Sequence, residues 1–188
     1  MSIDCEHELI ERARHDPEAF RQLYRAYLPR VYAYVAYRVG NAQDIEDLVA
    51  ETFLNVVRGL SSFEWRHDNS FAAWLFRIAH NLLNNFHRDA ARSGHALPLD
   101  ALPHLPAARG LPEDALLRRE LFALLHGMVN ELPARRREVV TLKYYAGLQN
   151  REIATVLDLD ERTVASHLSR ALDDLWRKYR AVAGLTAD

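Results

Sequence analysis

Four of the chain's seven prolines fall within one stretch, Ser93 to Asp114, which reads SGHALPLDALPHLPAARGLPED. Proline lacks the amide proton a helix interior needs, and its ring collides with the preceding turn. No continuous helix runs through such a stretch, so residues 94–114 read as an extended or irregular linker. On either side the apolar residues recur at helical spacing, and nowhere do they alternate long enough to make a strand. The expected fold class is all-α, with two small helical domains, 1–93 and 115–182, tethered through the prolines. Apolar residues make up 49% of the chain and charged residues 27%, enough apolar surface for two cores and unlike a disordered chain.

Local signals divide the first domain. Asp16-Pro17 is an N-cap followed by proline at the first helical position. Phe20, Leu23, Tyr24, Tyr27 and Leu28 form one run, and Val31, Tyr34, Val35 and Arg38 form a second that stops near Gly40. Asn41 caps a third, whose core side holds Ile45, Leu48, Val49, Thr52, Phe53, Val56 and Val57. Within it Asp44, Glu46, Asp47 and Glu51 face only Arg58, which by spacing alone is either a solvated face or a contact for a basic partner. After the loop GLSSFEWRHDNS a fourth helix runs from Phe71 to about Arg92. Its apolar side is Trp74, Leu75, Ile78, Leu82 and Phe86. Its other side gathers Arg77, His80, Asn81, Asn84, His87 and Arg88 with no acid among them.

The second domain holds NREIATVLDLDERTVASHLSRAL, from Asn150 to Leu172. Ile153, Ala154 and Leu157 make one apolar stripe, Leu159 plugs a tight turn, and Asp160 caps a new helix. In that helix Val164, Leu168, Ala171 and Leu175 share one side, while Arg162, Ser166, Ser169, Arg170 and Asp173 share the other. Two short helices at a steep angle make either an ordinary helical hairpin or a helix-turn-helix that points its polar face into a DNA major groove. The net charge of −2 argues neither way. Its distribution is more telling: residues 116–180 hold 12 Lys/Arg against 9 Asp/Glu, the only basic third of the chain.

In combination these residues resemble the bacterial RNA polymerase sigma factors of the extracytoplasmic-function type. Leu148, Glu152, Ile153, Ala154, Leu157, Thr163, Val164, Ser166, Leu168, Ser169, Arg170 and Ala171 carry the likeness in the helix-turn-helix. LPARRREVVTLKYYAGL resembles the helix before it. DPEAFRQLYRAYLPRVYAYVAYRV, DIEDLVAETFLNVVRG and FAAWLFRIAHNLLNNFHRDAAR resemble, in order, the family's opening, polymerase-docking and promoter-melting helices. The resemblance implies a promoter-specificity subunit without catalysis of its own. Asp44, Asp47, Glu51 and Asn55 would then contact a basic coiled coil of the polymerase's largest subunit. Trp65, Arg66, Asn69, Arg77, His80, Asn81, Asn84 and Arg88 would open the promoter −10 element and hold an unstacked base. Arg151, Arg162, Thr163, Ser166, His167, Ser169 and Arg170 would read the −35 element as duplex. The implied partners are the polymerase core, promoter DNA and an anti-sigma factor, with no cofactor and no small-molecule substrate.

The chain departs from that pattern in places. Asp158 and Arg162 stand where glycine is common. Ala165, His167, Leu172 and Asp173 stand where basic residues are usual, which lowers the phosphate contribution to affinity. Asn85 replaces a frequent Asp. Two other readings remain: a stand-alone helix-turn-helix regulator, and a sigma-like interaction protein without promoter activity. The single cysteine, Cys5, excludes an intrachain disulfide and suits a reducing cytoplasm. No apolar run reaches membrane-span length, and MSIDCEHELIERAR lacks the layout of a signal peptide. Nine histidines offer no metal-ligand spacing. The Arg135–Arg137 run is equally consistent with a DNA, polymerase or solvent contact.

Overall fold

The computed structural model describes residues 3–65, 70–93 and 112–183. Among the described residues every regular element is a helix: α1 Ile3–Ala13, α2 Pro17–Arg38, α3 Ala42–Gly59, a 3-10 turn Leu60–Ser62, α4 Ser70–Arg92, α5 Pro112–Asn130, α6 Ala134–Tyr144, α7 Asn150–Leu157 and α8 Glu161–Val182. Asp16 caps α2 by accepting the Glu18 N–H, and Asn41 caps α3 through the Gln43 N–H.

The two runs expected between Phe20 and Arg38 are one helix, which passes through Pro29. The proline removes the donor for the Arg25 carbonyl. Both residues are exposed, so water replaces that bond without burying an unpaired carbonyl. Helix α5 begins at Pro112, inside the expected linker, because proline suits a first turn whose N–H has no partner in any case. The rest of the linker, 94–111, lies outside the described residues, as does 66–69.

The N-terminal core forms where α2, α3 and α4 meet, around Leu23, Val31, Tyr34, Ile45, Phe71 and Phe76, with α1 closing over Tyr27. Tyr27 meets Phe71 and Tyr34 meets Phe76 edge-on, with ring centroids 5.2 and 5.7 Å apart. Each buried hydroxyl is satisfied: Tyr27 donates to the Glu6 carboxylate, and Tyr34 pairs with His80. Burial pushes the Tyr34 phenol up to about 12, so it stays neutral.

Helix α4 is covered more broadly than one apolar stripe implies. Phe71, Leu75, Phe76, Ala79 and Leu83 are buried, while Trp74, Ile78, Leu82 and Phe86 are half-buried on its flank. The reason is a second neighbour: α4 packs on α2 and α3 and also against α7 of the C-terminal half. One apolar cluster thus runs from Ile45 through Phe76 to Leu142, Ile153, Leu157 and Val164. A smaller cluster seats Tyr37 of α2 among Val129, Leu132, Val140 and Ala171.

The turn between α7 and α8 uses Asp158 in the left-handed region, at φ 54°, among the described residues the only non-glycine there. That conformation presses Cβ on the carbonyl and costs about 1 kcal/mol for a residue other than glycine. Asp158 is exposed and its side chain is not needed for the turn. Asp158→Gly is expected to raise the melting temperature by about 2–4 °C, measured by thermal denaturation. Asp158→Val is expected to lower it.

Candidate nucleic-acid interface

The helix-turn-helix is built from its caps outward. Glu152 accepts the Gln149 N–H at 2.6 Å and starts α7. The carboxylate is buried, and desolvation raises its pKa above the usual range. The Leu159 N–H closes on Ala154 O at 2.9 Å, and Leu159 packs half-buried against the core. Asp160 then accepts the Thr163 N–H at 2.7 Å and the Thr163 hydroxyl at 2.6 Å. Those bonds hold the exposed Asp160 carboxyl below its ordinary pKa. Val164 and Ala171 are fully buried and Leu168 and Leu175 half-buried, which turns Arg162, Ser166, Ser169 and Arg170 outward. Arg151 is exposed at the start of α7, and His167 is half-buried beside the polar face. The Thr163 hydroxyl is committed to the cap, so it supports the helix start and is not a free donor.

The remaining cations of this half are mostly engaged. Arg135 pairs with Glu138 at 3.1 Å, Arg136 with Asp174, and Arg137 donates to Asn130 O at 2.9 Å. Arg177 and Lys178 pair with Asp174 and Glu131. Arg136 and Arg137 therefore tie α6 to α8 and α5, while Arg135 pairs within α6. The outer part of α8 instead carries exposed Leu172, Trp176, Tyr179 and Val182, with Trp176 and Tyr179 stacked at 5.9 Å.

On α4 the polar face is partly as expected. Arg77, Asn81, Asn84 and Arg88 are exposed on one side. His80 is not: it is 7% exposed and sits between two partners. Asn84 Nδ2 donates to His80 Nε2 at 2.9 Å, which leaves Nδ1–H to donate to the Tyr34 hydroxyl at 3.1 Å. Burial lowers the His80 pKa and keeps the ring neutral. Its place as a DNA contact is corrected: it orients Asn84 from below. The expectation failed because helical spacing marks the side of a residue, whereas α2, through Tyr34, covers that position.

Trp65 and Trp74 are both half-buried. Trp65 lies 5.0 Å from the His7 ring, and Trp74 packs on Phe63 at 4.9 Å. A Cβ on Gly59 would come 2.8 Å from Trp74 Cζ2, so only glycine lets the indole lie over the end of α3. Arg14 Nη2 donates to Phe63 O at 2.5 Å and pins the loop base. Arg66 and Asn69 lie outside the described residues.

On α3, Asp47 and Glu51 are exposed and Asp44 and Asn55 half-buried. Gln43 Nε2 donates to Asp47 at 3.2 Å, and the Asn55 amide donates to its own helix at Glu51 O. Val57, expected in the core, is 52% exposed and Leu54 is 47% exposed. At about 100° per residue Val57 falls about 110° from the centre of the buried stripe. The outer face of α3 therefore mixes carboxylates with apolar side chains, a feature that the run of acids concealed.

A cleft of about 270 Å³ separates the halves, lined in part by Arg38, Asn84, His87, Arg137 and Glu138. Desolvation, then Arg38 and Arg137, pushes the His87 pKa down to about 4. An unfolded histidine takes up its proton near about 6.5, but folded His87 does not until about 4. Stability is therefore lost as pH falls from about 7 to about 5. His87→Gln is expected to shrink that loss, seen as a smaller difference in melting temperature between the two pH values. An unchanged difference would remove His87 from the account. Among the described residues no cluster of His, Cys, Asp or Glu could hold a metal ion.

Comparison with known proteins follows this geometry. Residues 23–93 match the sigma-70 region 2 family, and residues 122–175 match sigma-70 region 4. The chain is 34% identical over 171 residues to the ECF RNA polymerase sigma factor BldN of Streptomyces coelicolor, a match covering 90% of this chain and 64% of that one. It is 32% identical over 181 residues to the RNA polymerase sigma-H factor of Pseudomonas aeruginosa, covering 91% and 92%. Its fold matches the sigma factor RpoE of Bartonella quintana, solved with the anti-sigma factor NepR, at TM-score 0.67 and 24% identity over 89% of this chain and 98% of that one. The matches to known sequences cover both helical halves in order, and the chain belongs to the family of extracytoplasmic-function (ECF) RNA polymerase sigma factors.

Proposed function

We propose that this sigma factor uses α3 to dock on RNA polymerase core, α4 to open the −10 element, and α8 to read the −35 element. The observation that carries this division is the pair of exposed polar faces, the one on α4 free of acids and the one on α8 holding Asp173 beside its arginines. Arg77, Asn81, Asn84 and Arg88 lie on α4, and Arg162, Ser166, Ser169 and Arg170 lie on α8. Each sits on its own helical half, one within the region 2 match and one within the region 4 match. Asp47 and Glu51, with Leu54 and Val57 beside them, suit a partner helix carrying both arginines and apolar side chains. The carboxylates supply orientation and on-rate, and the apolar pair supplies buried area.

The protein performs no chemistry of its own in this reading and works in the cytoplasm beside its polymerase. Among the described residues no helix is long and apolar enough to cross a membrane. An anti-sigma factor is the natural inhibitor, as the Bartonella quintana RpoE–NepR complex illustrates for that protein.

Three arginines, Arg151, Arg162 and Arg170, are exposed at the reading end of the helix-turn-helix. Phosphate contact by about three cations gives a salt dependence of about −3 in log K against log salt.

Run-off transcription with purified core tests the assignment. Asp47→Arg with Glu51→Arg is expected to abolish core binding and transcript together. Arg162→Ala and Arg170→Ala are each expected to weaken promoter recognition by about 1–3 kcal/mol while leaving core binding intact. Core binding that survives the charge reversal would contradict the docking role of α3.

A further inference from the structure

We propose that the cleft where α2, α4 and α6 converge binds the terminal phosphate of a small phosphorylated ligand, held between Arg38 and Arg137. The site is independent of the promoter reading above, and its tests use neither polymerase nor promoter. The cleft encloses about 270 Å³, near the lower end of small-molecule pockets. Its walls include Tyr37 and Arg38 at the end of α2, Asn84 and His87 on α4, and Arg137 and Glu138 on α6.

Two cations meet there, and their charge is not balanced. Arg38 makes no ion pair among the described residues, and its Nη1 is buried without a hydrogen-bond partner. A guanidinium carries five N–H donors and no acceptor, and a buried donor left unpaired is costly. Arg137 commits one N–H to Asn130 O at 2.9 Å. Glu138 is the one carboxylate among the described lining residues, and it already pairs with Arg135 at 3.1 Å. Helix α6 also begins at the cleft: Ala134 lines it, and Pro133 supplies no side-chain cap. The positive end of that helix adds to the field of the arginines. Burial, and after it Arg38 and Arg137, keeps the His87 ring neutral beside them.

The donor set selects the ligand. A guanidinium fork matches carboxylate or phosphate. A carboxylate has two oxygens and one charge, enough for one fork. A terminal phosphate has three oxygens and nearly two charges, enough for both arginines at once. Neutral His87 and Asn84 stand beside them as further donors, Asn84 keeping a second amide hydrogen beyond the one given to His80. A diester phosphate within a nucleic-acid strand carries a sugar on each side, which a cleft this small does not admit.

Calorimetric titration of the full chain tests this at ionic strength held constant with sodium chloride. The ligands are inorganic phosphate, pyrophosphate and adenosine monophosphate. At least one is expected to bind one-to-one with a Kd below about 1 mM. Their order of affinity tells a nucleotide from an inorganic phosphate, and either supports the site. Arg38→Gln and, separately, Arg137→Gln are expected to weaken binding about tenfold. Arg25→Gln removes an exposed charge of α2 outside the cleft and should leave binding unchanged. In the wild-type chain the bound anion should raise the His87 pKa, followed by imidazole NMR. No binding of any of the three at about 10 mM overturns the proposal. Binding that leaves both folded variants and the His87 titration unaffected also overturns it, as an adventitious ion only. Displacement of the small ligand by an oligothymidylate lacking a terminal phosphate overturns it too, by showing a strand site instead. If both variants lose their helical circular dichroism, the His87 titration of the wild-type chain decides.

Discussion

The seating of α7 on α4 is the contact on which the rest of the structure depends. Phe71, Leu75, Phe76 and Leu83 on one side and Ile153, Leu157 and Val164 on the other join two helical units into one apolar cluster. Each unit alone is small and would leave part of its apolar surface in water. Burial of such side chains at about 25 cal/mol per Å² makes the joint arrangement favourable without any specific bond. Polar groups then select its geometry. Arg30 satisfies two carbonyls, and Tyr37 finds Asn130.

The same packing explains which side chains face solvent. An α4 covered by α2, α3 and α7 has one free strip, and that strip holds Arg77, Asn81, Asn84 and Arg88. His80 lies at its margin, where Tyr34 and Asn84 hold the ring neutral. In α8 the strip is set by Val164 and Ala171 beneath and by the Asp160 cap at the start. The exposed polar faces are thus what packing leaves over, aimed by a few hydrogen bonds.

Much of this was legible in the sequence. The Asp16, Asn41 and Asp160 caps and the stripe Val164, Leu168, Ala171 and Leu175 are local signals, and the structure carries them. What was not legible depends on a second neighbour. Val57 is an exception, because at about 100° per residue it already falls outside the stripe and its apolar character alone suggested the core. His80 has helical spacing with Arg77 and Asn84, but its burial comes from α2, far away in the chain. The ion pair of Arg136 with Asp174 and the insertion of Tyr37 are likewise long-range. Pro29 shows the converse, a local breaker overridden because its lost bond faces water.

The weakly cationic α8 sharpens what a sigma factor of this kind must do. In the proposed reading few phosphate contacts make duplex affinity modest, and recognition then depends on polymerase holding both halves near DNA at once. The division between a strand-opening half and a duplex-reading half is most directly tested by footprinting the initiation complex. Thymines of the −10 element should become reactive to permanganate only when the chain is present, while the −35 element stays paired and is protected from nuclease. Protection of the −35 element without reactive thymines, or reactive thymines without the chain, would contradict the account.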